Sequence, residues 1–413
     1  MLAPLLLAVS SWGVGPGTTV AFLEDRRAPI VTLVVQVPAG THLPWARERD
    51  LETAWTSQSR DPEGALRARA DALAVDLSLG VGPRSATLRA TFLRDDLDDA
   101  VALLRDVLSN RALDEEELKT RRRAFRFERE AVERTTDFRI GLELAKRLYE
   151  PGDPRRAEWD DPLTPSADAG RLVAARDAAL RLPGRIVGFA GALSREEAEL
   201  QFGRLGLPDV GEAPSGMHPE YRPMRAPGPE VASIPVRKLT QVYFGYGRAA
   251  PAWTDPDDAA FQIADHVLGG HFYSRLSVAL RHQRGDTYGA WTEDSTGAVA
   301  GWVVAKTFTR AGNAEATEAH LREVVKRLHE QGISEEERAA AAGYLLGRRA
   351  FAKQSPEQVL TTWMNERTLG LPVGFFDARA QRAASIPLEE IQRFVRRFYD
   401  PKDWGLVRIV PSN

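Results

Sequence analysis

A short stretch of this chain occurs twice. Ala112-Leu-Asp-Glu-Glu-Glu-Leu118 returns as Gly332-Ile-Ser-Glu-Glu-Glu-Arg338, and Glu115 and Glu335 stand 220 residues apart. Each copy follows one long amphipathic pattern and opens another. Self-similarity at that spacing in a chain of 413 residues predicts two related halves of roughly 200 residues, each large enough for its own core.

Charge and cysteine usage narrow the partners. With 55 Lys and Arg against 58 Asp and Glu, the net charge is −3, which argues against nucleic acid or an anionic membrane as partner. The absence of cysteine excludes disulfides, thiolate nucleophiles and cysteine-based zinc sites. No apolar run approaches the ~20 residues of a membrane span. Residues 1–17 read as a leader, because Met1–Val9 is apolar and small residues follow, although Pro4 interrupts it and no basic residue precedes it. This reading places the chain in the periplasm, with the cytoplasm as the alternative.

Strand and helix patterns alternate in the same order in both halves. In the first, residues 29–38 read as a buried strand, and Val75–Val81 and Ala86–Phe92 as a hairpin around Gly82-Pro83. Asp95 and Asp96 cap a helix through Val107, and helices follow at about 115–133, 141–148 and 172–180 before the strand Arg185–Ala190. The second half has strands at Leu239–Tyr246, Tyr288–Trp291, Val299–Thr309 and Trp404–Val410. Its helices read at Asp258–Leu268, Tyr273–Gln283, Ala314–Glu330, Glu335–Lys353 and Leu388–Tyr399. Six prolines between Pro208 and Pro229 mark a stiff linker. The domains expected are therefore 18–206, a linker 207–230, and 231–413. Each half is α+β, an antiparallel sheet with helices packed on one face.

One stretch carries candidate chemistry. Gly269-Gly270, Ser274-Arg275-Leu276, Leu280-Arg281, Arg284-Gly285 and Tyr288 stand in a single run. Gly269-Gly270 break one helix, and Gly285 supplies a left-handed cap to the next. Arg281 in its last turn and Tyr288 at the following strand can then converge as two long donors. On position alone, an Arg bonded to the last helical carbonyls with the Tyr packed beneath it is the simpler arrangement.

The run resembles the second-domain signature of the insulinase-like (M16) metallopeptidases, which include mitochondrial processing peptidase, and the resemblance extends over about residues 18–413. His271 replaces the small residue usual at its position. The resemblance implies the metallohydrolase fold of mitochondrial processing peptidase, two homologous halves closing as a clamshell. It also implies that Arg281 and Tyr288 hydrogen-bond the substrate peptide and the oxyanion at the scissile carbonyl, with Gly269, Gly270, Ser274, Arg275 and Gly285 supporting the motif.

The same family carries His-x-x-Glu-His on the first helix of its first half, two imidazoles on one helix face for zinc and a Glu for water activation. The equivalent helix here, about Arg49–Ser57, has no histidine, and the whole first half has only His42. Glu128, Glu130 or Glu133 falls near the family's third-ligand position, but a lone carboxylate holds no zinc, and these read as a solvated helix face. Asp50 and Glu52 read as ordinary helix N-terminal acids. In the second half, His266 and His271 are separated by two glycines, and His271 and His282 by about 16 Å of helix. Neither spacing suits a metal, and His320 and His329 read as surface residues. No metal ligand and no cofactor are therefore expected in this chain. Two weaker signals, the basic run Lys119–Arg129 and Trp45, Trp55, Trp253, Trp291 and Trp302, read as a salt-bridged helix and as core.

What is missing and what is kept imply a non-catalytic, substrate-binding subunit of a heterodimeric zinc peptidase that hydrolyses unstructured peptides. The zinc would reside in an M16 paralogue bearing His-x-x-Glu-His. The alternatives are a peptide-binding or assembly protein with no hydrolytic role, and an independent peptidase with a non-standard metal site.

Overall fold

A computed structural model describes residues 8–43, 50–160, 168–214, 218–228 and 230–412. Trp45, Arg49, Pro229 and the first seven residues of the expected leader lie outside the described residues. The described strands form two sheets.

The first sheet runs in the order β1 (Ser10–Gly13), β2 (Thr18–Glu24), β6 (Arg185–Gly191), β3 (Ile30–Val37), β5 (Ala86–Leu93), β4 (Asp76–Val81). The second runs β7 (Val231–Arg237), β11 (Gly405–Ser412), β8 (Gln241–Ala250), β10 (Gly301–Arg310), β9 (Ala290–Asp294). From β2 and β7 onward the two orders correspond strand for strand. Ser10–Gly13, read from the sequence as part of a leader, form the edge strand β1 paired with β2.

The helices are α1 (Asp50–Ser57), α2 (Ala65–Ala72), α3 (Leu97–Ser109), α4 (Glu115–Glu133), α5 (Thr136–Leu148), α6 (Pro154–Asp160), α7 (Ala169–Leu180) and α8 (Arg195–Arg204) in the first part of the chain. They continue with α9 (Asp258–Gly269), α10 (Ala314–Gln331), α11 (Glu335–Phe351), α12 (Pro356–Thr368), α13 (Phe375–Ser385) and α14 (Leu388–Phe398). A π-helical segment, Ser277–Gln283, lies between α9 and β9.

The sheets differ from the sequence expectation in two respects. Each contains one parallel pair, β2 with β6 and β7 with β11, because β6 and β11 return after long helical excursions and insert beside strands laid down much earlier. Each sheet is also covered on both faces. Beneath the first, β3 is buried from Val31 to Val37, which fits its unbroken apolar run. One face meets α1 and α3 in a core that includes Trp55, Leu88, Leu104 and Phe189. The other meets α12 through Leu360, Trp363 and Met364, against Leu23, Val34 and Ile186. In the second sheet the corresponding face is covered by α5 through Ile140, Leu144 and Leu148, against Val304, Val407 and Ile409.

The covering helices are exchanged along the chain. One compact unit comprises Met1–Arg129, Asp161–Pro219 and Phe351–Gly374, and the other Glu130–Asp160, Glu220–Ala350 and Phe375–Asn413. The units therefore do not follow the contiguous halves 18–206 and 231–413. Helix α5, which follows the first copy of the repeat, packs in the second unit, and α12, which follows the second copy, packs in the first. Glycines admit both helices. A Cβ on Gly188 would meet Met364 Sδ at 2.7 Å and Leu360 Cδ2 at 2.9 Å, and one on Gly245 would collide with Ile140. Helix α12 was not among the helices read from sequence, although Ser355 and Gln358 form a reciprocal capping box before it.

Candidate functional site

In the second unit, Gly269 ends α9 against β9, so closely that a Cβ there would overlap the Thr292 amide. The chain then turns at Gly270, and Ser274 N–H bonds His271 O at 3.0 Å to start the next helix. That helix widens into the π-helical Ser277–Gln283 and stops at Gly285, whose φ of 67° is the left-handed cap expected from sequence. Gly285 N–H bonds Arg281 O at 3.2 Å and Asp286 N–H bonds Leu280 O at 2.9 Å. Backbone groups thus satisfy these helical carbonyls, and no side-chain cap is required.

The two arginines of the motif have different fates. Arg275 makes a bidentate pair with Glu337, Nε–Oε1 2.8 Å and Nη2–Oε2 2.7 Å. Burial alone would raise the Glu337 pKa, but the Arg275 bond and the Ser334 amide outweigh it and hold the carboxyl below its ordinary value. Arg281 has no carboxylate or carbonyl partner among the described residues. Its guanidinium lies over the Phe272 ring, 4.6 Å from the centroid.

Tyr288 stands two residues before β9 rather than on the strand, in a loop whose backbone is fixed. Thr309 Oγ1 donates to Asp286 O at 2.6 Å, and Thr307 Oγ1 to Gly289 O at 3.0 Å. His320, expected at the surface, lies against both Asp286 (Nδ1–Oδ2 2.7 Å) and Arg284 (Nε2–Nη1 2.7 Å). On this pinned loop Tyr288 is 78% exposed. Ser274 is buried, and its hydroxyl has no partner among the described residues.

His266 and His271, which sequence spacing kept apart, come together. The Gly269-Gly270 break folds the chain back over the last turn of α9, and the rings stack at 4.6 Å, with Tyr344 stacked on His266 at 4.3 Å. Burial pushes His266 down to about 4 and lowers His271, so both rings are neutral at pH 7. Face-to-face imidazoles do not converge their nitrogens on one ion.

The first unit holds α1 where the histidine-bearing helix was sought. Asp50 Oδ2 pairs with Arg171 Nε at 2.8 Å, and Ala54 packs with Leu113, Leu118 and Leu172. Arg121 from α4 donates to Thr56 Oγ1 at 2.9 Å and to Thr56 O at 3.3 Å. Glu128 and Glu130 are exposed. Among the described residues no group of three or more His, Cys, Asp or Glu is arranged to hold a metal ion, so the residues present do not fit zinc. Of the tryptophans, Trp55 and Trp302 are core, and Trp253 packs on Phe376 and Arg379. No helix among the described residues is long and apolar enough to cross a membrane.

The family model of the peptidase M16 inactive domain matches residues 189–343, which contain the whole Gly269–Tyr288 run. Over that stretch this chain is similar to the M16 inactive domain. It is 27% identical over 147 residues to the non-peptidase homologue YmxG of Helicobacter pylori, a match covering 36% of this chain and 34% of that protein. Its fold is similar to the M16 inactive domain from Pseudomonas fluorescens, with TM-score 0.84 and 21% identity over 98% of this chain and 99% of that one. It is also similar to the periplasmic protease PqqL of Escherichia coli, with TM-score 0.79 and 13% identity; the match covers 98% of this chain and 46% of PqqL. The chain thus spans about half of that protease, and the fold is the α+β, two-sheet arrangement of the M16 peptidases.

The sequence reading missed the surroundings of His266. A signal was present in the repeat itself. Thr120-Arg-Arg122 in the first copy corresponds, at the same offset of 220, to Ala340-Ala-Ala342 in the second. Where Arg121 reaches α1, its counterpart Ala341 is a methyl group packed in the core at a cavity wall.

Proposed function

We propose that this chain is the non-catalytic, peptide-binding subunit of a heterodimeric M16 peptidase. A paralogue bearing His-x-x-Glu-His carries the zinc, the substrates are unstructured peptides, and the complex works in the periplasm. The observation that carries this reading is the contrast within the motif. Arg275 is consumed by Glu337, whereas the side-chain polar atoms of Arg281 and Tyr288 have no hydrogen-bond partner among the described residues, on well-anchored backbone. Two donors held in that state suit a peptide carbonyl supplied from outside. As negative charge develops on the oxygen, both bonds strengthen, which is how such donors accelerate acyl transfer. The α1 helix, with no imidazole and its Asp50 paired to Arg171, supports a chain that contributes binding and no metal.

The test uses the purified complex with a zinc-bearing paralogue. Arg281→Ala and Tyr288→Phe should each slow peptide turnover by at least ~10-fold while the pair still co-elutes on size exclusion. Full turnover in both variants would make the two residues structural. Failure of the co-expressed chains to associate, with peptide present, would leave a peptide-binding or assembly protein with no hydrolytic role.

A further inference from the structure

A cavity of about 660 Å³ opens in the second unit beside the π-helical segment, between α9, α10 and α11. Its apolar wall comes from Val267, Val278, Val324, Ala340 and Ala341, and its ring-bearing wall from His266, His271 and Tyr273. The volume lies within the usual range for small-ligand sites. It exists because the second repeat copy places alanines where the first has Arg121.

Three features define what fits. First, charge is neutralised at the wall: Arg275 is held by Glu337 and Arg327 by Glu323 at 2.9 Å, so neither lining arginine is left to call for an anion, and Glu336 at the rim repels one. Second, the imidazoles are neutral at pH 7, and His271 forms an exposed end of the three-ring stack His271–His266–Tyr344. Flat, uncharged rings favour another flat ring over a branched aliphatic group. Third, Gln283 and Gln331 bring amide groups to the lining that can bond a phenol or an indole N–H.

The cavity is continuous with the Arg281 surface. Tyr273 in its wall meets Phe272 edge-on at 5.1 Å, and Phe272 is the ring on which Arg281 lies. Tyr273 also stacks on His282 at 5.9 Å. Phe272 and Tyr273 are 51% and 72% exposed, a run of partly exposed aromatic surface leading from Arg281 to the cavity.

We infer that this cavity receives an aromatic side chain, tyrosine or tryptophan, of the peptide whose backbone Arg281 and Tyr288 engage, and so sets sequence preference. The inference rests on the peptide-binding reading above, and its test separates the two. Labelled nonapeptides of Gly, Ser and Ala, with a central Tyr or a central Ala, are titrated into the full chain by fluorescence anisotropy. N-acetyltyrosinamide and N-acetylalaninamide are compared in parallel by saturation-transfer NMR. The Tyr peptide should bind at least ~10-fold more tightly than the Ala peptide. Ala340→Trp, at an exposed position on the rim, should bring that ratio to about one, whereas Arg281→Ala should weaken both peptides by the same factor and keep the ratio. Equal binding of the two peptides to the unaltered chain, or a ratio that survives Ala340→Trp, overturns the inference. If no peptide binds but N-acetyltyrosinamide does, and Ala340→Trp abolishes it, the cavity stands as an aromatic site and the peptide-subunit reading falls. If the free amide fails to bind as well, the cavity proposal is overturned.

Discussion

The two units are built on one plan, and they differ most at the helix pair beside each sheet. In both, the third Glu of the repeat accepts a guanidinium from the segment that follows the first helix. Glu117 takes Arg60 at 2.8 Å, and Glu337 takes Arg275 at 2.7 Å. One turn further, the copies diverge. Arg121 in the first reaches across to the end of α1 and closes the gap, while Ala341 in the second leaves the cavity open. Duplication thus preserved the clamp that fixes the helices and released the surface between them. Both contacts are ion pairs at the same position of the repeat, and the Glu337 carboxylate also accepts from the Ser334 amide at the start of its helix.

Several substitutions sharpen or break this comparison. The largest effect is expected where the exchanged helices dock. Gly188→Val and Gly245→Val should each destabilise the fold by about 3 kcal/mol, because a branched side chain would occupy the seat of α12 or α5. Urea midpoints measure this, and a near-neutral result at one glycine alone would mean that the two exchanges are not energetically equivalent.

Arg121→Ala comes next. Removing it frees the Thr56 carbonyl and hydroxyl and opens an equivalent gap in the first unit, for a loss of about 1–2 kcal/mol. An unaltered midpoint would show that the closure of α1 onto α4 depends on Leu118 and its apolar neighbours instead. For the clamps themselves, Glu117→Ala and Glu337→Ala should each lose about 1 kcal/mol, these being partly exposed pairs. The first should be the larger, since Glu117 also binds Arg121 at 2.9 Å.

The smallest net effect concerns pH, because two titrating groups on α9 of the second unit oppose each other. His266 is held near 4 when folded against an ordinary value of 6.5, so the folded state binds fewer protons between those values. Its contribution to stability therefore falls as pH drops from 6.5 to about 4. Burial pushes the neighbouring Asp265 up to about 7, so the folded state there binds more protons above pH 3.8, and its contribution falls as pH rises toward 7. The two oppose each other. Urea midpoints across pH 4–7 should separate them, with His266→Phe gaining relative to wild type toward the acid end and Asp265→Asn toward neutrality. Parallel profiles for all three proteins would remove pH sensitivity from the contrast between the units.

Much of the site was legible in local sequence because it rests on short-range rules. Gly285 had to cap a helix, Gly269-Gly270 had to break one, and a helix without imidazole could not present a pair of histidine zinc ligands. The contact between His266 and His271 was not legible, since helical spacing rules end at the Gly269-Gly270 break. Nor could sequence distinguish Arg275 from Arg281. Both are arginines near helix ends, and only the position of Glu337, 62 residues beyond Arg275, decides which is neutralised.

The amino-acid sequence by itself determined that there are two related α+β halves, that α4 and α11 open with the same acidic turn, and that α1 has no imidazole. These follow from periodicity, capping chemistry and residue identity, which act over a few residues. The tertiary structure alone decided that β6 and β11 enter mid-sheet as parallel neighbours and that α5 and α12 change places. It also decided that one helix pair is closed and the other open. Those outcomes depend on which distant surfaces bury each other, and burial is indifferent to separation along the chain.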